Sequence, residues 1–335
     1  MTEASRPASP EFLSAIHEAK SIVLITHRGP DGDGLGTEIA LAEAFEAAGK
    51  KVCIVNEDPM PRRMRFLDPD GRIVVYRRAQ APSLREAELA LLVDVSEIHR
   101  AGTPAEVRHK AGGAFLALDH HPVNGQSLTG HIVPESSSTA EIAFHLLKQL
   151  DMPLTPRAAE ALYAGIVFDT MAFRFVRKQQ GPFQVAAELV AAGADPEKVQ
   201  IELFQTSKDY ATLLGRLLPD LAFSSKGRVA VLAITGEHKK ELKLDADEIH
   251  DVVNFLNSMR GVQVCAFLRQ LNAQNWRVNL RCQEGLAIDA IARDLGGGGH
   301  PRASGATLRD VSKDEAVALV AKRLNGLFLS GNAGQ

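Results

Sequence analysis

Cysteine is scarce in this chain, with Cys53, Cys265 and Cys282 the only three in 335 residues. They are odd in number, far apart and embedded in strand-like patterns, which suits reduced core thiols better than a disulfide or zinc framework and points to a reducing cytoplasm. Long apolar runs are also missing. No stretch reaches the ~18 residues of a membrane-spanning helix, and the opening MTEASRPASP lacks the apolar centre of a signal peptide, so no membrane partner is expected. Neither sign of charge dominates: the formal net charge is −3, which gives no global basic field to attract long nucleic acid. Aromatic residues make up only 5% of the chain and Trp276 is the sole tryptophan, so stacking platforms for a long single strand are few. What remains, 45% hydrophobic and 24% charged, is an ordinary globular composition with length for about two domains.

The chemistry-bearing residues fall at the ends of apolar runs. Ile22 to Ile25 reads as a buried strand that breaks into His27, Asp31 and Asp33, with glycines between, and helical spacing follows from Leu35 to Gly49. Carboxyl ends of strands are where open α/β sheets place ligands, although an Asp- and Gly-rich turn is equally a helix cap when seen alone. Leu89 to Val93 is a second strong strand and ends in Asp94. Ala114 to Leu118 repeats the pattern and ends in Asp119, His120 and His121. Ser138 to Glu141 is a capping-box pattern opening a helix. In the helix that begins at Pro156, Asp169 interrupts an apolar face, and a buried carboxylate there needs a partner or a metal.

Beyond Pro219 the texture changes to alternating strand runs, with a helical segment over 208–218 between the two parts. The outstanding feature there is LGGGGHPRASG, from Leu295 to Gly305. Four glycines leave backbone amides open to a phosphate, with His300 and Arg302 beside them, and the spacing fits neither a GxGxxG dinucleotide turn nor a GxxxxGK[ST] loop.

In order, H-x-x-x-D-x-D, V-D, D-H-H and D-T after an apolar helix, followed by GGGGH, resemble the DHH phosphoesterase superfamily with its C-terminal DHH-associated domain. The likeness runs from about Phe12 to Phe328 and lies with the branch of oligoribonucleases and 3′-phosphoadenosine 5′-phosphate phosphatases. It implies an α/β fold. An N-terminal domain (11–206) with a mainly parallel sheet flanked by helices would be joined by a helical linker (207–219) to a smaller α/β substrate-binding domain (220–329) carrying the GGGGH loop, with the active site in the cleft between them.

The resemblance also implies roles. His27, Asp31, Asp94 and Asp169 would hold one divalent ion, and Asp33, Asp94, His120 and Asp169 a second, most suitably Mn²⁺. Asp94 and Asp169 would be shared, His121 would serve catalysis or the substrate phosphate, and Asp119 would orient a histidine. Thr37 stands where the family usually has serine, and Gly29 precedes Pro30; neither departure removes a ligand. Arg281, His300, Arg302 and the amides of Gly297, Gly298 and Gly299 would contact substrate. The implied substrates are short RNA oligonucleotides and 3′-phosphoadenosine 5′-phosphate. A phosphodiesterase for linear or cyclic dinucleotides is the nearest rival; a RecJ-like exonuclease, a pyrophosphatase and a catalytically silent nucleotide sensor stand further off. The oligomeric state is left open, a homodimer included.

Overall fold

The computed structural model describes residues 5–122, 127–176, 179–244 and 246–328. The chain forms two compact units that divide between Gln205 and Thr206.

The first unit is built on a six-stranded parallel sheet. Its strands are β1 (Ser21–Ile25), β2 (Lys51–Asn56), β3 (Ile73–Val75), β4 (Leu89–Val93), β5 (Ala114–Asp119) and β6 (Gly130–Ile132), in the order β3-β2-β1-β4-β5-β6. In β1, Ile22 to Ile25 are buried and β4 is buried throughout, because a central parallel strand is covered on both faces, so it reads as a continuous rather than alternating apolar run. One face packs Leu24, Leu91 and Val93 against the helices Gly32–Ala47, Thr139–Gln149 and Pro156–Asp169. The other packs Val23, Ile25 and Leu92 beneath Leu84, Ala101 and Ala105. Strand order reverses between β1 and β4, so the crevice at their carboxyl ends is the topological switch point, the place where such sheets bind ligands.

The second unit carries a mixed sheet in the order β11-β12-β10-β9-β8-β7: β7 (Ala222–Ser224), β8 (Val229–Ile234), β9 (Val264–Asn272), β10 (Asn275–Cys282), β11 (Gly298–His300) and β12 (Ala303–Leu308). Only β8 and β9 run parallel. One face packs Val278, Leu280 and Ala306 against the Lys313–Gly326 helix; the other packs Cys265 and Phe267 against the Ala246–Asn257 helix. The segment expected as a linker is the helix Lys208–Leu217, whose Leu213 and Leu217 are buried in this second core.

The GGGGH stretch, read from sequence as a loop, is in part an edge strand. Gly298 to His300 pair with Ala303 to Gly305 of β12. A Cβ at Gly297 would run into the Gly305 carbonyl, and one at Gly299 would lie 2.7 Å from the Ala303 carbonyl oxygen. Close strand approach thus explains those two glycines, whereas Gly298 has open space where a side chain would be. All three cysteines are free; burial pushes the Cys265 thiol up to about 12, which keeps it an inert core group.

Candidate metal centre at the strand ends

Three adjacent strands, β1, β4 and β5, end side by side, and the polar residues that follow them meet. His27 comes from the end of β1, Asp94 from β4, and Asp119, His120 and His121 from β5. The Gly32–Ala47 helix adds Asp31 as its N-cap and Asp33 in its first turn, and Asp169 ends the Pro156–Asp169 helix. Asp33 and Asp94 are 0% and 1% exposed, so both need polar partners.

Asp33 finds them at a helix N-terminus. The Thr139 and Ala140 amides donate to its Oδ2 and Oδ1 at 2.6 and 2.8 Å, while Ser138 caps the same helix by accepting from the Glu141 amide. The helix dipole and two orphan amides therefore favour a carboxylate there. The Thr139 hydroxyl donates to Asp94 Oδ1 at 2.8 Å. Asp94 itself has φ 60°, a left-handed conformation uncommon for a residue with a Cβ, which turns its side chain off the strand end.

The imidazoles are oriented for ligation. His27 Nδ1 lies 2.9 Å from the Arg28 carbonyl oxygen and His120 Nδ1 lies 3.3 Å from the Ser136 carbonyl oxygen. With Nδ1 engaged, each Nε2 faces the carboxylates. His27 Nε2 is 3.4 Å from Asp94 Oδ2 and 3.7 Å from Asp31 Oδ2. His120 Nε2 is 3.6 Å from Asp94 Oδ1, 3.5 Å from Asp169 Oδ2 and 3.9 Å from Asp33 Oδ2. These gaps exceed hydrogen-bond length, yet the donor atoms stay close enough to share one cation.

Electrostatics gives the same sense. Burial, then the neighbouring Asp94, Asp169 and Asp31, push the Asp33 carboxyl well above its usual range. Asp169 rises to about 6, through burial first and against the pull of His120, with Asp94 and Asp31 adding to the rise. His27 loses stabilisation on burial but is held well above its ordinary value by Asp31 and Asp94. A cluster that strains to take up protons has charge to spare for a cation. Among the described residues, three groups of side chains can each surround an ion: His27, Asp31 and Asp94; Asp33, His120 and Asp169; Asp94, His120 and His121. Nitrogen and oxygen donors without sulfur fit divalent ions of the Mn²⁺ and Mg²⁺ type.

His121 stands slightly apart. Its Nδ1 is 2.9 Å from Asp119 Oδ1 and 3.6 Å from Asp94 Oδ1. Burial lowers its pKa, but Asp119 and Asp94 more than reverse the effect, with Arg100 opposing them. In the second unit, Arg281 is half-buried on β10, His300 is exposed at the end of β11, and Arg302 lies in the turn that follows.

Sequence reasoning passed over two groups. Thr139 was read as part of a cap, yet it holds both Asp33 and Asp94; its place beside the capping serine was the available signal. The other is a buried trio behind the site, in which Asn56 accepts from the Thr26 amide at 3.0 Å and donates to Glu38 Oε2 at 2.8 Å. Glu38 lies in an apolar stretch of its helix, Leu35 to Ala42, that is buried throughout, but nothing local marks Asn56 as its partner.

Comparison with known proteins accords with this geometry. Residues 21–166 match the model of the DHH family, N-terminal domain, and residues 226–326 that of the DHHA1 domain. A curated relative from Thermus thermophilus, named bifunctional oligoribonuclease and PAP phosphatase NrnA, is 31% identical over 92% of this chain and 90% of its own. One of the same name from Bacillus subtilis is 27% identical over 93% and 96%. The solved structure of an exopolyphosphatase-related protein from Bacteroides fragilis superposes with a TM-score of 0.87, covering 94% of this chain and 95% of its own at 23% identity, which speaks for the fold. With both domains matched in order and full-length relatives at this level, the chain belongs to the DHH family of phosphoesterases, with a C-terminal DHHA1 domain.

Proposed function

We propose that this chain is a two-metal phosphoesterase that hydrolyses short oligoribonucleotides to mononucleotides and 3′-phosphoadenosine 5′-phosphate to AMP and phosphate. The observation that carries the reading is the convergence of His27, Asp94 and His120 from three neighbouring strand ends with Asp31, Asp33 and Asp169. The relatives' names support the substrate class.

In this reading His27, Asp31, Asp94 and Asp169 hold one ion and Asp33, Asp94, His120 and Asp169 the other, with Mn²⁺ suited to the donor set. When bound, such a pair supplies a water nucleophilic at neutral pH and offsets charge on the phosphate oxygens of an in-line displacement. The protein's own part is positioning. Thr139 and the helix N-terminus hold Asp33 and Asp94 so that their charges need not reorganise. His121, tied through Nδ1 to Asp119, presents Nε2 as a charge-assisted donor to a phosphate or leaving oxygen. In the second domain His300, Arg281 and Arg302, with the backbone at Gly298 and Gly299, take the substrate's terminal phosphate, whereas the Gly297 amide, expected from sequence to join them, donates instead to the Ala292 carbonyl at 2.8 Å.

Incubating the purified protein with Mn²⁺ and 3′-phosphoadenosine 5′-phosphate, RNA dinucleotides, RNA pentanucleotides and cyclic dinucleotides tests the reading. Mononucleotide and phosphate release from the first three is expected; activity confined to cyclic dinucleotides would replace it with the phosphodiesterase reading.

A further inference from the structure

The second sheet has one face whose polar residues are more numerous than a single terminal phosphate requires. Because paired residues in antiparallel strands share a face, the registers define rows. One row is Arg281 of β10, Ala303 of β12 and His300 of β11. The next is Asn279, Gly305 and Gly298, and the one after that is Arg269 of β9, Arg277 of β10 and Thr307 of β12. On β9 the middle row continues into Phe267, buried against the Ala246–Asn257 helix, but from Asn279 outward over β12 and β11 it carries only glycine, so its outer half has no side chains between two sets of cations.

The far row is built at a cost. Arg277 and Arg269 stand directly opposite each other, a like-charge pair that destabilises a sheet. Arg269 Nε is buried and without a hydrogen-bond partner, and burial followed by the charge of Arg277 depresses its pKa. Arg277 donates to the Thr307 hydroxyl at 3.2 Å, and its guanidinium lies back over Gly305, where a Cβ would come within 3.4 Å of Nη2. Asn279 is 9% exposed and its Oδ1 is also unpartnered. Two unneutralised guanidiniums, a floor without side chains beneath Arg277 and an amide with a buried free end are what a polyanion needs: charge-assisted donors, close backbone approach and one further polar contact.

We infer that Arg277 and Arg269, with Asn279 and the Gly305 floor, form a second anion subsite that grips a backbone phosphodiester of a short RNA strand beyond the phosphate held at Arg281 and His300. The rows of Arg281 and Arg277 are four residues apart along one strand, about 13 Å at the usual strand rise, which exceeds the span of one phosphate group and suits an oligonucleotide a few nucleotides long. The inference rests on the oligonucleotide reading above and extends it.

The full-length protein with a fluorescent RNA pentanucleotide, in EDTA so that no cleavage occurs, provides the test. Binding is followed by anisotropy between low and high KCl. Replacing Arg277 by alanine should weaken binding several-fold and flatten the slope of log affinity against log salt by about 0.7, the single-strand value per lost phosphate contact, and Arg269→Gln should act in the same direction. Arg277→Gln, which keeps length and polarity, guards against a folding artefact. Unchanged slopes in Arg277→Ala, Arg277→Gln and Arg269→Gln proteins that melt like the wild type would overturn the subsite. Flattened slopes in a protein that leaves RNA intact with Mn²⁺ would uphold the subsite and overturn the proposed activity instead.

Discussion

At the scale of single residues, Asp94 does the most. It faces His27, His120 and His121 at 3.4 to 3.6 Å and accepts from Thr139, all from a left-handed backbone. Among neutral residues with a side chain, asparagine tolerates that conformation best, so Asp94→Asn removes charge with little backbone strain. Its kcat/KM with Mn²⁺ should fall by at least about 10³-fold; near-normal turnover in the folded variant would refute the proposed shared-ligand role. Glu38 offers a test of the buried trio. Burial, eased by the Asn56 bond, raises its pKa from 4.5 to about 8, so its contribution to stability is fully present below about 4.5 and lost as pH rises through about 8. Glutamine keeps the acceptor for Asn56 and does not ionise. The fall in melting temperature between pH 5.5 and 8.5, measured in EDTA, should therefore be smaller in Glu38→Gln, and equal falls would contradict the shift. That His27, Asp31, Asp33, Asp94, His120 and Asp169 gather at one place was legible because few side chains bind hard cations and each lies at the end of an apolar run. Glu38 and Thr139 were not, since their environment is set by chain segments distant in sequence.

Elements bring these residues to one point through close helix packing. A Cβ at Gly36 would run into the Ala161 carbonyl oxygen, and one at Gly165 would lie 2.7 Å from Ala140 Cβ and 3.1 Å from Asp33 Oδ1. The Gly32–Ala47 and Pro156–Asp169 helices can approach, and Asp33 can reach the Thr139 amide, only because those positions lack side chains. Gly36→Ala should cost about 1 to 3 kcal/mol of stability, as overpacking does, and should weaken metal binding with it. Differential scanning calorimetry showing an unchanged melting temperature would mean the helices separate freely. The strong strands were legible at this scale: Leu89–Val93 coincides with its apolar run. The hairpin of Gly298–His300 with Ala303–Leu308 was not, because glycine and alanine carry little strand preference and register with β10 supplies the order. The Lys313–Gly326 helix carries a local signal of its own, the Ser312 to Glu315 capping box.

For the whole molecule the decisive question is how long a strand the protein grips. Extended binding of single-stranded nucleic acid relies on a basic groove with stacked aromatics. Here the net charge is −3, and Trp276, the one tryptophan, is 1% exposed and therefore no platform for bases. Beside the GGGGH strand, one face of the second sheet carries cations from His300 and Arg281 to Arg277 and Arg269, a reach of a few nucleotides. Binding energy should rise over that reach and then level off once these cations are occupied. Dimers to about pentamers should accordingly be hydrolysed much faster than 20-mers, whose extra length adds ordering cost without contact. His300→Ala should weaken the short substrates by ~1.5 to 3 kcal/mol, the worth of a charge-assisted hydrogen bond. Initial rates on RNA of 2, 5 and 20 nucleotides decide the matter: kcat/KM that keeps rising to the 20-mer would show a binding track elsewhere on the molecule and favour an exonuclease that works along long strands.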